Sequence, residues 1–293
     1  MVNKLHGADL VFQVAVVLIG ALLIILMAYP IYFVIIASFS SPSSVLSGRA
    51  WLIPSDISIN GYQRLFQNTR IWVGYRNTIA YTIVGTGLSL ICTMAAAFSL
   101  SRKSLPFRNA IQFFLVFTMF FNGGLVPTYF VIRDIGIINT FWVMVVPFAV
   151  NVYNVIIART FFASTMPEEL FDAARIDGCD YFRFFIQILI PLSKAIIAVL
   201  SLYYAVWYWN EYFRALMYVK DERLVPLQIV LRDILIINQS AANLAGTDMI
   251  ERIKLAEMLK YCLIVVSTLP MMLVYPFIQK YFTKGVMLGS LKG

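Results

Sequence analysis

The sequence predicts an all-α integral membrane protein. Hydrophobic residues make up 60% of its 293 positions, the mean hydropathy is +0.80, and only 13% of residues are charged, against about 25% in a soluble domain. Several charge-poor runs reach the roughly 20 residues that a helix needs to cross a hydrocarbon core about 30 Å thick. None of them shows the alternation of a β-barrel strand. Because lipid offers the backbone no hydrogen-bond partners, helices are the remaining solution.

Six apolar runs predict six transmembrane helices in a single transmembrane domain that covers 1–293. The first run is too long for the apolar part of a cleaved signal peptide, so we interpret it as a retained anchor. All are free of formal charge except the fifth, which contains Glu211 and Arg214. The predicted spans are 10–39, 77–101, 109–132, 135–158, 195–219 and 261–279.

The positions of lysine and arginine predict that both termini lie in the cytoplasm. The short turn 101–108 and the tail 280–293 place basic residues close to span ends, where positive charge marks the cytoplasmic side. Basic residues on the opposite side lie mostly in two long segments, 40–75 and 220–260, where they carry less weight. This N-in/C-in topology puts the charged segment between the fourth and fifth spans in the cytoplasm.

The sequence contains no pattern of an enzyme. It has no HExxH, GxSxG or P-loop motif and no cluster of histidine or cysteine. Its three cysteines include no CxxC pair, so they form neither a disulfide framework nor a zinc site. We therefore expect no catalytic residue, no metal and no cofactor on this chain. The net charge of +8 fits cytoplasmic anchoring, and we expect no nucleic-acid partner.

The charged loop 165–194 has the signals of a short helix over 167–177. A loop that only reverses the chain needs about four residues, so this one has another purpose. The helix signals are a capping box, a proline of the first turn and a left-handed stop: Thr165 with Glu168, Pro167 and Gly178. Asp180 is placed to cap the helix that follows.

Two interpretations of this short helix remain open from its pattern. It can rest on the bilayer surface as an amphipathic helix, or it can dock a protein. Surface helices are usually rich in lysine and arginine, whereas this one carries Glu168, Glu169 and Asp172 in its first turns. Carboxylates are unfavourable beside anionic lipid and favourable in a basic protein pocket, so the charges favour docking.

The loop resembles the EAA loop of ABC-importer permeases. DAARIDG is followed after nine residues by ILIP, and the family pattern is E-A-A, three residues, G, nine residues, I-x-L-P. Asp172 stands where the pattern has Glu, and Ile190 stands where it has Leu. Four other segments resemble the carbohydrate-uptake branch, in the subgroup that serves oligosaccharides released from polysaccharides such as alginate: 121–140, 209–218, 225–235 and 281–293.

The resemblance implies the partners and the coupling residues. In the family the EAA helix sits in a cleft of a cytoplasmic ATPase subunit, and the C-terminal tail, here Lys284–Gly293, approaches the ATPase pair. A disordered tail is the open alternative for this segment. The implied partners are a second, homologous permease subunit in a heterodimer, two ATPases that bind ATP and Mg, an extracytoplasmic solute-binding protein and an oligosaccharide, at a bacterial cytoplasmic membrane. The implied docking residues are Glu169, Asp172, Ala173, Ala174 and Gly178.

Polar residues within the spans are candidates for a sugar path. A charge at mid-bilayer costs about 2.5–3.5 kcal/mol on insertion scales, so Glu211 needs either a path or a structural ion pair with Arg214, three residues later. Amides in spans usually bond between helices, and aromatic residues usually form interface belts. The candidates are Asn122, Tyr129, Asn151, Asn154, Trp209, Asn210 and Glu211. Asn122, Gly123 and Gly124 before Pro127 also predict a broken helix.

Two other hypotheses concern mechanism and cargo. An ion-coupled secondary transporter would need intramembrane carboxylates and often has an inverted repeat, whereas the chain offers only Glu211 and no evident repeat. The net charge and the arginines of the outer segments suggest an acidic sugar, such as an alginate or another uronate oligomer. The sequence assigns no role to segment 220–257.

Overall fold

Every regular element is a helix in the part of the chain that the computed structural model describes, residues 7–242 and 249–290. The chain divides into two compact units. The first comprises Met1–Thr69 and Leu231–Leu269, and the second comprises Arg70–Val230 and Pro270–Gly293. His6 and the last three residues lie outside the described residues, as do the side chains of the predicted tail contact Lys284–Gly293.

The first unit is organised around the end of its long N-terminal helix. That helix continues without interruption through Pro30. At its end the Ser38 carbonyl accepts a bond from the Cys262 thiol at 3.4 Å, and the Ser38 hydroxyl accepts one from Tyr62 at 2.7 Å. Its helices, two of which continue into residues of the second unit, are α1 (Gly7–Ser38), α2 (Pro42–Leu46), α3 (Asn60–Gln67), and parts of α14 (Leu227–Ala242) and α15 (Met249–Ser290).

The second unit contains the remaining helices and the charged loop. They are α4 (Thr69–Ser101), α5 (Arg108–Phe120), α6 (Leu125–Asp134), α7 (Trp142–Val145), α8 (Val152–Thr165), α9 (Glu168–Ile176), α10 (Tyr181–Phe184), α11 (Ile190–Leu192), α12 (Lys194–Trp209) and α13 (Phe213–Tyr218). A π-helical segment, Phe185–Leu189, joins α10 to α11.

Helices α4 and α12 pack antiparallel along a buried polar seam. Thr93 shares a hydrogen bond of 2.6 Å with the Tyr204 hydroxyl, and Ser89 shares one of 3.1 Å with the Tyr208 hydroxyl. The Tyr208 hydroxyl also donates to the Val145 carbonyl at 3.1 Å. These bonds satisfy polar groups that would be costly to bury alone. The bond to Val145 also fixes the end of α7 against the α4–α12 pair.

Fewer helices than the six predicted spans are long and apolar enough to cross a membrane. Three qualify alone among the described residues, and up to five if each of two bent pairs counts as one span. The single helices are Asp9–Ser38, Thr69–Ser101 and Ile253–Pro276. The bent pairs are Arg108–Phe120 with Leu125–Asp134, at 115°, and Tyr181–Leu192 with Lys194–Trp209, at 83°.

The predicted span 109–132 is broken where the sequence indicated. Gly124 has a φ of +81°, a conformation that glycine adopts at little cost. The Asn122 side-chain oxygen accepts a bond from the Gly124 N–H at 3.0 Å. That N–H therefore bonds to a side chain and not to a backbone carbonyl of the preceding helical turn. The prediction of a broken helix at this point is confirmed.

The predicted spans 135–158 and 195–219 are shorter helices than expected. In the first, Gly136 and Asn139 have positive φ values of 80° and 59°, and Pro147 lies between α7 and α8, where it lacks an N–H to continue a helix. In the second, α12 ends at Trp209 and α13 begins at Phe213. Apolar composition alone did not reveal these interruptions.

We predict that Gly85→Ala destabilises the protein and that Gly87→Ala in the same helix does not. A Cβ atom at Gly85 would lie 2.5–2.7 Å from the Tyr208 ring, whereas one at Gly87 meets nothing within 4 Å. Tyr208 is buried and hydrogen-bonded, so it cannot turn aside without breaking the seam. Overpacking of this kind costs about 1–3 kcal/mol. Thermal unfolding of the purified protein measures the difference, and equal midpoints for the two variants would contradict it.

Candidate functional site

Helix α9 begins at Glu168, close to the predicted start, but without the predicted capping box. Helix α8 continues through Thr165, whose hydroxyl donates to the Phe161 carbonyl at 2.6 Å, so Thr165 belongs to α8 and does not occupy the cap position of α9. Pro167 occupies the cap position with no side-chain hydrogen bond. The Glu168 carboxylate forms an ion pair with Lys103 at 3.3 Å instead. This contact ties the start of α9 to the turn that follows α4.

The end of α9 follows the prediction. Gly178 has a φ of +77°, the Gly178 N–H donates to the Arg175 carbonyl at 3.0 Å, and the Cys179 N–H donates to the Ala174 carbonyl at 2.9 Å. These two bonds form a Schellman motif. The Asp180 carboxylate then accepts a bond from the Arg183 N–H at 2.7 Å and caps α10. Both the left-handed stop and the second cap are confirmed.

One face of α9 is buried against aromatic residues of the same chain. Phe171 is 6% exposed and packs edge-on against Phe184, with ring centres 5.0 Å apart. Phe98 of α4 stacks on Phe184 at 5.9 Å. Ala174 belongs to the same cluster and is 8% exposed. The side chain of Ala174 is therefore covered by this chain, unlike those of the other predicted docking residues.

The opposite face of α9 is exposed and combines carboxylates with apolar atoms. It consists of Glu169, Asp172, Ala173 and Ile176, whose spacing of three, four and seven residues puts them on one side of a helix. Ile176 is 88% exposed and was not among the predicted residues, although its position, seven residues after Glu169, was visible in the sequence. We call these four residues the outward face of α9.

The chain after α9 leads directly into a predicted membrane helix. Helix α10, the π-helical segment and α11 run up to Ser193, where the axis turns by 83° into α12. The Ser193 hydroxyl donates to the Leu189 carbonyl at 2.6 Å and is buried. π-Helical turns such as Phe185–Leu189 are frequent at functional sites in helices. Helix α9 is therefore linked to α4 through Phe184 of α10, and the chain continues from it into α12.

Glu211 and Arg214 form a buried ion pair at the far end of α12. Their side chains are 2.8 Å apart and 13% and 7% exposed, respectively. The Glu211 carboxylate also accepts a bond from the Arg214 N–H at 2.9 Å. The guanidinium carbon lies 4.0 Å from the ring centre of Trp207 and 4.6 Å from that of Phe148. This geometry favours the structural ion pair over a carboxylate that faces a sugar.

The other polar candidates have mostly local partners. The Asn151 side-chain oxygen accepts a bond from the Asn154 N–H at 3.2 Å and caps α8, and the Asn210 amide donates to the Val206 carbonyl at 2.8 Å. Asn122 stabilises the break described above. These bonds to nearby backbone replace the helix-to-helix bonds that the sequence suggested.

The remaining candidates are aromatic or buried. The Tyr129 ring stacks on that of Tyr218, with centres 6.0 Å apart. Trp209 is 5% exposed and Asn154 is 6% exposed, so neither is open to a ligand within this chain. Asn122, Asn151 and Asn210 are exposed and can face a partner subunit or solvent.

No protein-family model matches the chain, but curated proteins match it over nearly all of its length. It is 38% identical over 268 residues to the polygalacturonan/rhamnogalacturonan transport system permease protein YtcP of Bacillus subtilis (strain 168), covering 90% of this chain and 92% of that protein. It is 35% identical to protein LplC of the same strain, covering 100% and 99%. The melibiose/raffinose/stachyose import permease protein MelC of that strain is 26% identical, covering 90% and 91%.

A solved structure has the same fold. It is a crystal structure of a bacterial ABC transporter involved in the import of the acidic polysaccharide alginate, and one of its chains superposes with a TM-score of 0.86 at 30% identity, covering 96% of this chain and 99% of that chain. The relatives are permease components rather than enzymes. The chain therefore belongs to the multi-pass membrane permeases of ABC importers, in their carbohydrate-uptake branch.

Proposed function

We propose that this chain and a second, homologous permease subunit form the transmembrane path of a bacterial importer for oligosaccharides. Two partner ATPases, which bind ATP and Mg, drive the cycle, and an extracytoplasmic solute-binding protein delivers the sugar. Six crossings of the cytoplasmic membrane, with both termini inside, complete the proposal. The observation that carries the coupling part is the two-sided character of α9, with one face buried in this chain and the other exposed.

The outward face of α9 has the chemistry of a docking surface for a basic cleft. Among the described residues, no lysine or arginine lies within ion-pair distance of Glu169 or Asp172, whereas Glu168 is paired with Lys103. Ala173 leaves room for close backbone approach, and Ile176 offers an apolar side chain. A partner that buries this face gains charge pairing and apolar contact together.

The buried face of α9 transmits the movement of a docked partner. Interiors are close-packed and resist compression, so a displaced α9 carries Phe171 and with it the aromatic neighbours on α4 and α10. Allosteric coupling requires an element with two arrangements that both sites bias. In this proposal that element is the group of helices α4 to α12, which changes between inward-open and outward-open states.

The cargo in this proposal is an acidic oligosaccharide. Support comes from the similarity to a polygalacturonan/rhamnogalacturonan permease and to an importer of the acidic polysaccharide alginate. Several arginines of the proposed outer side are neutralised in ion pairs, including Arg70 with Glu222 and Arg133 with Asp134. Exposed Arg76 donates instead to the Asn77 side chain and the Arg223 carbonyl. It is the better candidate to attract a uronate at this end of α4.

The comparisons do not favour an ion-coupled carrier, because the relatives are described as ABC permeases or as import permeases. The buried ion pair of Glu211 also withdraws the carboxylate that such a carrier would need. Collapse of uptake by a protonophore, with the ATPase intact and ATP maintained, would nevertheless restore that alternative.

We predict that Asp172→Lys abolishes sugar-stimulated ATP hydrolysis by the assembled importer while leaving the chain in the membrane. The substitution places a cation on the outward face of α9, where it repels a basic cleft; like charges of this kind cost several kcal/mol. Asp9→Lys is the control, since it makes the same charge change at an exposed residue of α1, outside the charged loop. Normal stimulation in Asp172→Lys would refute the docking role.

We predict that the importer takes up uronate oligosaccharides in preference to neutral oligosaccharides of equal length. The positive groups at the proposed outer end favour an anionic sugar, most strongly at low ionic strength. Uptake of radiolabelled oligomers into proteoliposomes that contain the complete importer and its binding protein measures the ratio. A preference for the neutral oligomer would contradict the assignment of the cargo.

A further inference from the structure

A cavity of about 260 Å³ lies beside α9, at the end of α4. None of the residues assigned to docking or to the sugar path lines it. Its wall combines aromatic and apolar side chains with hydroxyl groups and one arginine. The lining residues are Phe98, Ser99, Arg102, Ser104, Leu105, Pro106 and Tyr181.

The arginine of this cavity is buried without a carboxylate partner. Arg102 is only 5% exposed. Its Nε donates to the Ser101 hydroxyl at 3.3 Å, and its Nη1 has no hydrogen-bond partner. Glu168, the acidic residue that acts on it electrostatically, is ion-paired with Lys103 instead. Among the described residues no carboxylate lies within ion-pair distance of Arg102, so a buried cation faces the cavity without a counter-ion.

Aromatic rings hold this guanidinium in place. Its carbon lies 5.3 Å from the ring centre of Phe98 and 5.4 Å from that of Phe171, at distances where a cation is attracted to a ring. Burial lowers the pKa of Arg102, and the nearby Glu168 opposes that shift. Arginine nevertheless remains protonated in proteins. The cavity therefore carries a fixed positive charge.

The cavity has the size and the donors for a phosphate group. At about 260 Å³ the space is large enough to admit a phosphate group together with water. Arginine binds phosphate oxygens through parallel N–H donors, and the Ser104 and Tyr181 hydroxyls can donate to the remaining oxygens. Ser99 is a weaker candidate, because its hydroxyl already donates to the Ala95 carbonyl at 3.0 Å.

We propose that this cavity binds a phosphate-type oxyanion through Arg102, Ser104 and Tyr181, and that the bound anion strengthens the attachment of α9 to α4. The oxyanion is either a free phosphate or the phosphodiester of an anionic phospholipid. Phe107, which is 83% exposed, follows the cavity wall on the same turn and suits contact with a lipid chain. Because Arg102 also contacts Phe171, a bound counter-ion stabilises the buried face of α9. The effect on coupling rests on the proposed function, whereas the binding itself does not.

The test is the thermal stability of the purified importer with and without oxyanions. In neutral detergent free of anionic lipid, inorganic phosphate or phosphatidylglycerol raises the unfolding midpoint of the wild type by roughly 2–4 °C near saturation. Phosphatidylcholine does not. Arg102→Gln and Ser104→Leu both lose the shift, the first by removing the cation and the second by replacing a hydroxyl donor with an apolar side chain. Arg108→Gln is the matched control, since it removes a positive charge on the same turn outside the cavity and keeps the shift.

The two sources of phosphate are distinguished by which ligand acts. A shift with inorganic phosphate identifies a free anion, and a shift with phosphatidylglycerol alone identifies a lipid headgroup. The same shift in Arg102→Gln as in the wild type, or no shift with either ligand, overturns the proposal. If Arg102→Gln fails to assemble, Ser104→Leu decides, because it keeps the guanidinium. Sugar-stimulated ATP hydrolysis is measured in parallel, so that loss of binding is distinguished from failure of the proposed coupling.

Discussion

The structure of the charged loop depends on one cluster, in which Phe171 packs against Phe184, Phe184 stacks on Phe98, and the Arg102 guanidinium lies over the Phe171 ring. This cluster buries one face of α9 and leaves the other free. Without it, a nine-residue helix would be marginal on its own, since isolated helices shorter than about 12–15 residues are rarely stable in water. The aromatic cluster therefore supplies the stability that lets a short acidic helix present a fixed surface.

Helix α4 connects this cluster with the opposite end of the second unit. It contains Asn77, whose amide donates to the Val225 carbonyl at 3.0 Å, and ends at Ser101, immediately before Arg102. At 1.5 Å per residue, Asn77 and Ser101 are about 36 Å apart along the helix. The hydrogen bonds of Tyr204 and Tyr208 join α12 to α4 between them. In the proposed function, a movement that starts at α9 would pass along these contacts toward the ion pair of Glu211 and Arg214.

The sequence predicted local features whose cause is local, and missed those that depend on tertiary packing. The Gly178 stop, the Asp180 cap and the break at Gly124 were predicted because each depends on a residue's own conformational preference or short side chain. The predicted capping box is absent because Thr165 is the last residue of α8. The inward direction of Ala174 was not predictable from its spacing, since only the position of α4 decides which face is covered. The interruptions of the fourth and fifth spans occur in apolar sequence that resembles a continuous helix.

The most direct test of the account is a photo-crosslink from α9 in the assembled importer. A photoreactive amino acid at Ala173, on the outward face, is expected to form a covalent product with an ATPase subunit, and the yield is expected to change with ATP. The same probe at Ala174, which is buried, gives little or no such product. Products from position 173 that contain only phospholipid, or no ATPase product at all, would contradict the claim that α9 is the coupling helix.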